Sequence, residues 1–580
     1  MQYNDENKDK EISSDENGGT SEQDLNSISE KDLNTNPVEK DAKSAENDEK
    51  DNTKADVKSS EEQPKEIQVK SSEEPPTEEQ PSEEPSKEES AKPIDESADS
   101  SGQKAESEQE IEKTTEHHNR RQKPPGDSIY SDARTLSVKI LTRVERTDSY
   151  LDKLIDYEIK TEVLNDYDKS LLNEICHGVI RWMRRLDWFL NGFYRGQWEK
   201  CMPEIKNTLR VALYQILFLN KIPDYAAVNE ATEFVKRIST QKHADVVNGL
   251  LRTIIRTKDE LIYPTREIDE VKYLGIMQSH PNWMVKRWIQ RFGFDDAEKL
   301  AESNNKRPIL TVRINTLKIS REDFLKKLTE KNIVYRFCKY TENFITLRLM
   351  SKIYLDEYFK NGFYAVQDES AGLVSALLNP GENDLILDMC SAPGGKSSHI
   401  AQLLGNKGHI IAVDKYDAKI KMIRENLERL GVTNTEFVQD NAEEFSNEAI
   451  TSQKFDKILL DAPCSGLGVL SKKPDIRWKR EIEDIINLSK IQTKLLESAS
   501  GLIKPGGVIV YSTCTTEPEE NIDVVKAFLA SHPEFTIDNA SQYVNKDLVN
   551  EEGCIETFPH RNGIDGSFAA RLVKKNDIQT

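Results

Sequence analysis

Cysteine is scarce and scattered in this sequence. The seven residues, Cys176, Cys201, Cys338, Cys390, Cys464, Cys514 and Cys554, are odd in number and no two have zinc-ligand or CxxC redox spacing. That excludes a disulfide scaffold and a cysteine metal site, so no metal is expected and a reducing, cytoplasmic location fits best. Long apolar runs are also lacking: none approaches the roughly 18 residues that cross a bilayer, so no membrane partner is expected. The N-terminus has no signal-peptide stretch, and Asp5, Glu6, Asp9 and Glu11 make it too acidic for a transit peptide. Heptad repeats are missing too, which leaves a monomer as the default. Aromatics almost vanish from the first 128 residues, which hold Tyr3 alone of the chain's 42.

What the sequence does have is unevenly distributed. Its 580 residues carry a net charge of −22, but residues 1–128, with 37 acidic and 17 basic side chains, account for −20 of it. Like charge, nine prolines and few apolar groups cannot offset the entropy of ordering, so a disordered acidic tail is expected over 1–128. Its self-repulsion, or its cover over basic patches, would oppose non-specific contacts with polyanions. The remaining chain is nearly neutral, and its surface charge has to be judged locally.

From Ser131 to Arg256 the apolar residues keep a helical period. Leu136, Ile140, Leu141 and Val144 share one face, Leu172, Ile175, Val179 and Leu186 a second, and Leu209, Ala212, Leu213 and Ile216 a third. This predicts an all-helical domain over 129–265. Arg134, Arg181, Arg184, Arg185, Arg210, Lys236, Arg237 and Arg252 punctuate it, and composition does not separate an RNA-contacting surface from solvated helix faces. A helical linker over 266–307 contains His280-Pro281-Asn282-Trp283. A small α+β subdomain over 308–360 follows, with extended segments at 309–315, 334–337 and 344–349 and a helix capped by Ser320. Over 361–575 short apolar strands, Leu385–Met389, Ile410–Val413, Glu436–Val438, Lys457–Leu460 and Val508–Tyr511, alternate with helical patterns. The fold class is therefore α/β, a Rossmann-like doubly wound sheet behind an all-helical domain and an α+β subdomain.

Ligands of such sheets bind beyond the carboxyl ends of the strands. The first strand runs into Cys390-Ser391-Ala392-Pro393-Gly394-Gly395-Lys396, a turn whose glycines let backbone approach a ligand. It is neither GxGxxG nor a Walker motif, which weakens dinucleotide and triphosphate readings. The second strand ends at Asp414, suited to a ribose diol, and the third at Asp440, suited to the neighbourhood of an adenine. Singly each acid reads as a helix cap; in series they suit adenosine on a sulfonium, S-adenosylmethionine.

The fourth strand delivers Asp461-Ala462-Pro463-Cys464 and the fifth Ser512-Thr513-Cys514. Thr516-x-x-Glu519 has the capping-box form, and a thiol beside a helix N-terminus is stabilised as thiolate. A sulfonium, a thiolate and an acid together suit one chemistry. Carbon 5 of a pyrimidine is a poor nucleophile until a thiolate adds to carbon 6 and makes it an enamine. Asp461 would stabilise that adduct at ring nitrogen 3 and the exocyclic amine, and the second cysteine would assist release. Apart from the cap, which favours Cys514, nothing in the sequence chooses between the two thiols.

These motifs resemble those of the RNA 5-methylcytosine methyltransferases. From about residue 130 the chain is similar to the branch that modifies bacterial small-subunit ribosomal RNA, the methyltransferase B type. The resemblance rests on residues 391–396, 461–466 and 512–514, on Lys472-Lys473-Pro474-Asp475-Ile476-Arg477-Trp478, and on His280–Trp283, Gln367-Asp368-Glu369-Ser370-Ala371 and Asp565–Leu572. It implies a NusB-like helical domain, an RNA-recognition-like subdomain and a Rossmann-like catalytic domain. It further implies that residues 390–396, Asp414, Asp440 and Asp461 contact S-adenosylmethionine or its surroundings, with Cys514 as nucleophile, Cys464 for product release, and Asp461 and Lys396 in the catalytic set. Small-subunit ribosomal RNA is the implied partner. Transfer RNA, or a non-catalytic role in ribosome assembly, are the alternatives. Lys472, Lys473, Arg477, Trp478 and Arg480 follow the Pro-Cys loop directly and are read as RNA contacts, cations for phosphate with an aromatic for stacking.

Overall fold

The computed structural model describes residues 129–130, 132–257, 260, 262–348 and 357–576. The acidic segment 1–128 and Leu349, at the end of one expected strand, lie outside the described residues.

Six helices open the described chain: α1 (Ala133–Arg146), α2 (Leu151–Thr161), α3 (Asp166–Phe193), α4 (Pro203–Phe218), α5 (Asp224–Ile238) and α6 (Gln241–Thr257). Asp132 starts the first by accepting the Arg134 and Thr135 N–H groups, which would otherwise be orphaned. The three apolar stripes meet in one core that includes Leu136, Ile140, Leu172, Val179, Leu209 and Leu213. Arg210 sits inside it at 3% exposure. Its guanidinium is held by Asp187 through two 2.6 Å bonds and by Glu145. A buried cation persists only with such partners.

Next come α7 (Glu270–Met277), α8 (Asn282–Phe292) and α9 (Phe294–Asn305). The sequence reads this stretch as a linker. The structure gives it a core in which Leu274, Met284, Val285 and Trp288 pack with Leu467, Leu470, Ile476 and Ile485 of the catalytic region. It is part of the catalytic body.

The small subdomain is an antiparallel sheet in the order β2-β3-β1-β4, built from β1 (Leu310–Ile314), β2 (Tyr335–Phe337), β3 (Phe344–Leu347) and β4 (Tyr364–Val366). Ser320 caps the helix Arg321–Glu330 by accepting the Asp323 N–H at 3.1 Å. The fourth strand escapes the sequence reading and lies wholly beyond the boundary set at 360, pairing Val312 with Val366. Three residues are too few to show an alternating pattern.

All five expected strands of the catalytic sheet are present: β5 (Leu385–Asp388), β6 (His409–Asp414), β7 (Thr435–Gln439), β8 (Phe455–Asp461) and β9 (Ile503–Thr513). They run parallel, with β8 and β9 on one side of β5 and β6 and β7 on the other. The strand order, β5-β6-β7 one way and β8-β9 the other, switches between β5 and β8, which opens a crevice over their carboxyl ends. Three unforeseen strands, β10 (Phe535–Ile537), β11 (Ile555–Thr557) and β12 (Ser567–Lys574), close the far side. The last is antiparallel to β9, with Ala569 opposite Ser512.

Candidate active site

At the end of β5, Asp388 is fully buried and accepts the Ser397 hydroxyl at 2.6 Å on one oxygen, while its Oδ1 has no partner. Burial raises its pKa to about 7. The loop that follows is anchored by Ser391, whose N–H and hydroxyl both donate to the Val413 carbonyl at 2.9 Å. Gly394 turns the chain at φ +92°, and a Cβ there would meet Leu427 at 2.7 Å, so only glycine suits the turn. The helix Gly395–Leu403 then points its N-terminus into the crevice.

Lys396, the second residue of that helix, reaches across to β8 and pairs with Asp461 at 2.6 Å. The other Asp461 oxygen accepts the Ser512 hydroxyl at 2.9 Å. Burial opposes the Lys396 charge, but the Asp461 carboxylate outweighs it and its pKa is raised. Asp414 ends β6 with Lys419 at 3.3 Å. Asp440 organises its own loop: its carboxylate accepts the N–H groups of Asn441, Ser446 and Asn447 and caps no helix, the next one being capped by Asn447.

The two cysteines meet. Cys464 Sγ lies 3.3 Å from Cys514 Sγ and accepts the Cys514 N–H at the same distance. Hydrogen bonding from the Cys464 thiol, with Lys396 and Lys473 nearby, prevails over burial and lowers the Cys514 pKa. That same bond, burial and Glu520 push Cys464 well up. The helix cap expected at Thr516 does not exist. A 3-10 turn, Pro518–Glu520, comes first, and the helix Ile522–Ser531 starts beyond it. The thiolate is favoured by its neighbours, not by a helix terminus.

One supporting residue escapes the sequence reading. Glu520 is fully buried beneath the Cys464 loop, where it accepts the Ser465 N–H at 2.8 Å and hydroxyl at 2.5 Å, and the Gln492 amide at 3.0 Å. Its neighbours in sequence, the buried Glu517 and the partly exposed side chain of Glu519, both bind Arg287, so nothing local distinguishes it.

The RNA-contact expectation fails for Arg477, and Lys472, Trp478 and Arg480 each spend a donor inside the protein. Arg477 is fully buried, and its guanidinium donates to Ser279 O at 3.1 Å, Asn304 O at 3.2 Å and Asn305 Oδ1 at 2.8 Å. Trp478 donates to the Ile180 carbonyl at 2.8 Å. Lys472 is held between Asp368 at 2.5 Å and Asp565 at 2.7 Å, and Arg480 donates to Ser465 O at 3.2 Å. Arg477 and Trp478 join the catalytic body to the helical domain through the Arg181 and Ile180 carbonyls. Lys473 is exposed and stays available. Several cations of the helical domain are likewise structural: Arg181 donates to Ser471 O, Arg184 to His280 O and Arg185 to Tyr263.

Family models match three stretches: the NusB family over residues 131–256, the ferredoxin-like domain of RsmF/B-like methyltransferases over 280–353, and the 16S rRNA methyltransferase RsmB/F over 375–573. The chain is 35% identical over 447 residues to the probable ribosomal RNA small subunit methyltransferase B of Bacillus subtilis (strain 168), covering 76% of this chain and 98% of that one. The chain belongs to the RsmB/F family of rRNA methyltransferases. Another member, the ribosomal RNA small subunit methyltransferase B of Shigella flexneri, is 33% identical over 415 residues, 71% of this chain and 92% of its own. The crystal structure of PH0851 superposes with a TM-score of 0.64 at 25% identity, over 76% of this chain and 98% of that one.

An RsmB/F methyltransferase draws its methyl group from S-adenosylmethionine, and the crevice fits that molecule. Gly394 and Gly395 leave the strand-to-helix turn bare. Two buried polar atoms beside it, Asp388 Oδ1 and Gln367 Nε2, lack partners within the protein. Asp414 stands at the next strand end. Among the described residues of this methyltransferase there is no cluster of His, Cys, Asp and Glu able to hold a metal, and no helix long and apolar enough to cross a membrane.

Proposed function

We propose that this RsmB/F methyltransferase methylates carbon 5 of a cytosine in small-subunit ribosomal RNA, with Cys514 as nucleophile. The observation that carries the reading is the pair of sulfurs 3.3 Å apart, beside the Lys396–Asp461 ion pair. The Cys514 thiolate adds to carbon 6, forming a carbon–sulfur bond and leaving carbon 5 electron-rich. Asp461, held by Lys396 and Ser512, binds the amidine edge of the ring and stabilises the adduct. S-adenosylmethionine, when bound over residues 390–396 and Asp414, supplies an electrophilic methyl group. Once carbon 5 carries the methyl group, with S-adenosylhomocysteine as the leaving group, its proton passes to solvent and the carbon–sulfur bond breaks, releasing the Cys514 thiolate and restoring the ring. The neighbouring Cys464 is the group available to assist that elimination.

The target base must leave its stack to meet Cys514, so single-stranded or loop RNA is the substrate form. The names of the relatives support ribosomal RNA of the small subunit over transfer RNA. The test is transfer of radiolabelled methyl to unmodified small-subunit RNA, followed by mapping of the modified base. Label on transfer RNA alone, or at any atom other than cytosine carbon 5, would overturn the reading. Intact cofactor binding with no label would favour an assembly role.

A further inference from the structure

Gln367 lies just before the helix Glu369–Leu378 and belongs to no cofactor motif, yet it is 6% exposed and reaches the cofactor turn. Its Oε1 accepts the Arg313 Nε–H at 2.7 Å. Arginine carries donors only, so the amide oxygen must face it and the NH2 must face away. That NH2 is buried without a partner and lies 3.9 Å from where a Cβ on Gly395 would stand. A donor thus hangs over the bare backbone of the loop, oriented by a residue from another sheet.

What lies behind the amide decides what it would bind. Arg313 is 1% exposed and meets no carboxylate; its partners are the neutral groups of Gln367, Ser398 and Gln402. An uncompensated buried cation is costly. Its field polarises the Gln367 amide and makes the NH2 a better donor to an anion. S-adenosylmethionine carries one anionic group, the carboxylate of its amino-acid end. We infer that Gln367, oriented by Arg313 of the ferredoxin-like subdomain, donates to the cofactor's carboxylate. The subdomain then helps build the cofactor site as well as flanking it.

The test separates that end of the cofactor from the rest. S-adenosylhomocysteine keeps the amino-acid end; 5′-methylthioadenosine lacks it and keeps the nucleoside. Calorimetric titration of the full chain with both ligands should show Gln367→Ala weakening S-adenosylhomocysteine about ten- to thirtyfold, the size of a lost bond to a charged group. Methylthioadenosine affinity should not change. Gln367→Glu, nearly isosteric, should weaken S-adenosylhomocysteine at least as much by opposing carboxylate to carboxylate. Equal loss for both ligands would make Gln367 a structural residue, and no loss for either would remove it from the site; both results overturn the inference. Wild-type protein that binds neither ligand would instead overturn the cofactor assignment itself.

Discussion

Cys464 and Cys514, fifty residues apart in sequence, bring their sulfurs to 3.3 Å at the carboxyl ends of adjacent parallel strands. Because the Cys464 thiol donates and two lysines stand by, the negative charge is favoured on Cys514. Cys514→Ala should therefore abolish methyl transfer. Cys464→Ala should let the adduct form but slow its resolution, leaving a protein–RNA species that survives a denaturing gel. Trapping by the Cys514 variant instead would reverse the roles.

The same pair sets a pH dependence. Alkylation of Cys514 by iodoacetamide should show a midpoint below that of an ordinary thiol. Cys464→Ala removes the donated hydrogen bond and should move that midpoint upward. Burial raises the thiols of Cys176 and Cys554 to about 12, so these should stay silent below pH 9 or so. Mass spectrometry of the alkylated peptides reads each site, and an unmoved midpoint would exclude Cys464 as the donor.

Asp388 makes the cofactor-free protein sensitive to pH. Its carboxyl holds a proton up to about 7 in the folded state and releases it near the ordinary 3.8 when unfolded. Across that window the folded state binds more protons, so stability falls as pH rises, by up to about 4 kcal/mol in total. Asp388→Asn does not titrate and should flatten this part of the profile. Chemical denaturation from pH 4 to 8 measures it, and parallel curves for both proteins would refute the burial effect.

Arg477 should act on stability rather than on RNA. Arg477→Met leaves the carbonyls of Ser279 and Asn304 unpaired in the interior, at a cost of about 2–4 kcal/mol. The salt dependence of RNA binding should not change, since no phosphate contact is lost. A shallower salt slope with unchanged thermal stability would return Arg477 to the RNA interface. Lys473→Ala, at an exposed position, should produce that shallower slope.

Much of the molecule is legible in one dimension. The helical stripes, the five parallel strands and the turn through Gly394 and Gly395 are local patterns of period and backbone freedom, and each survives in the structure. The order of strand ends also places Asp414, Asp440 and Asp461 along the carboxyl edge of the sheet. What the linear order could not decide is which charged side chains face water. Lys472 and Arg477 look like Lys473 in sequence, but the first meets Asp565 and the second lies among carbonyls from three separate segments. The partners of Arg477 stand as far as 296 residues away. Glu520 was hidden for the same reason, and Gln367 stood in a motif without a role, since their neighbours in sequence say nothing about the loops they contact. Periodicity by itself determined the elements and their chemistry-bearing ends, because it follows from the geometry of helix and strand. Only the tertiary structure decided which polar groups hold the body together and which remain free for a ligand, because desolvation and pairing depend on what the rest of the chain brings beside them.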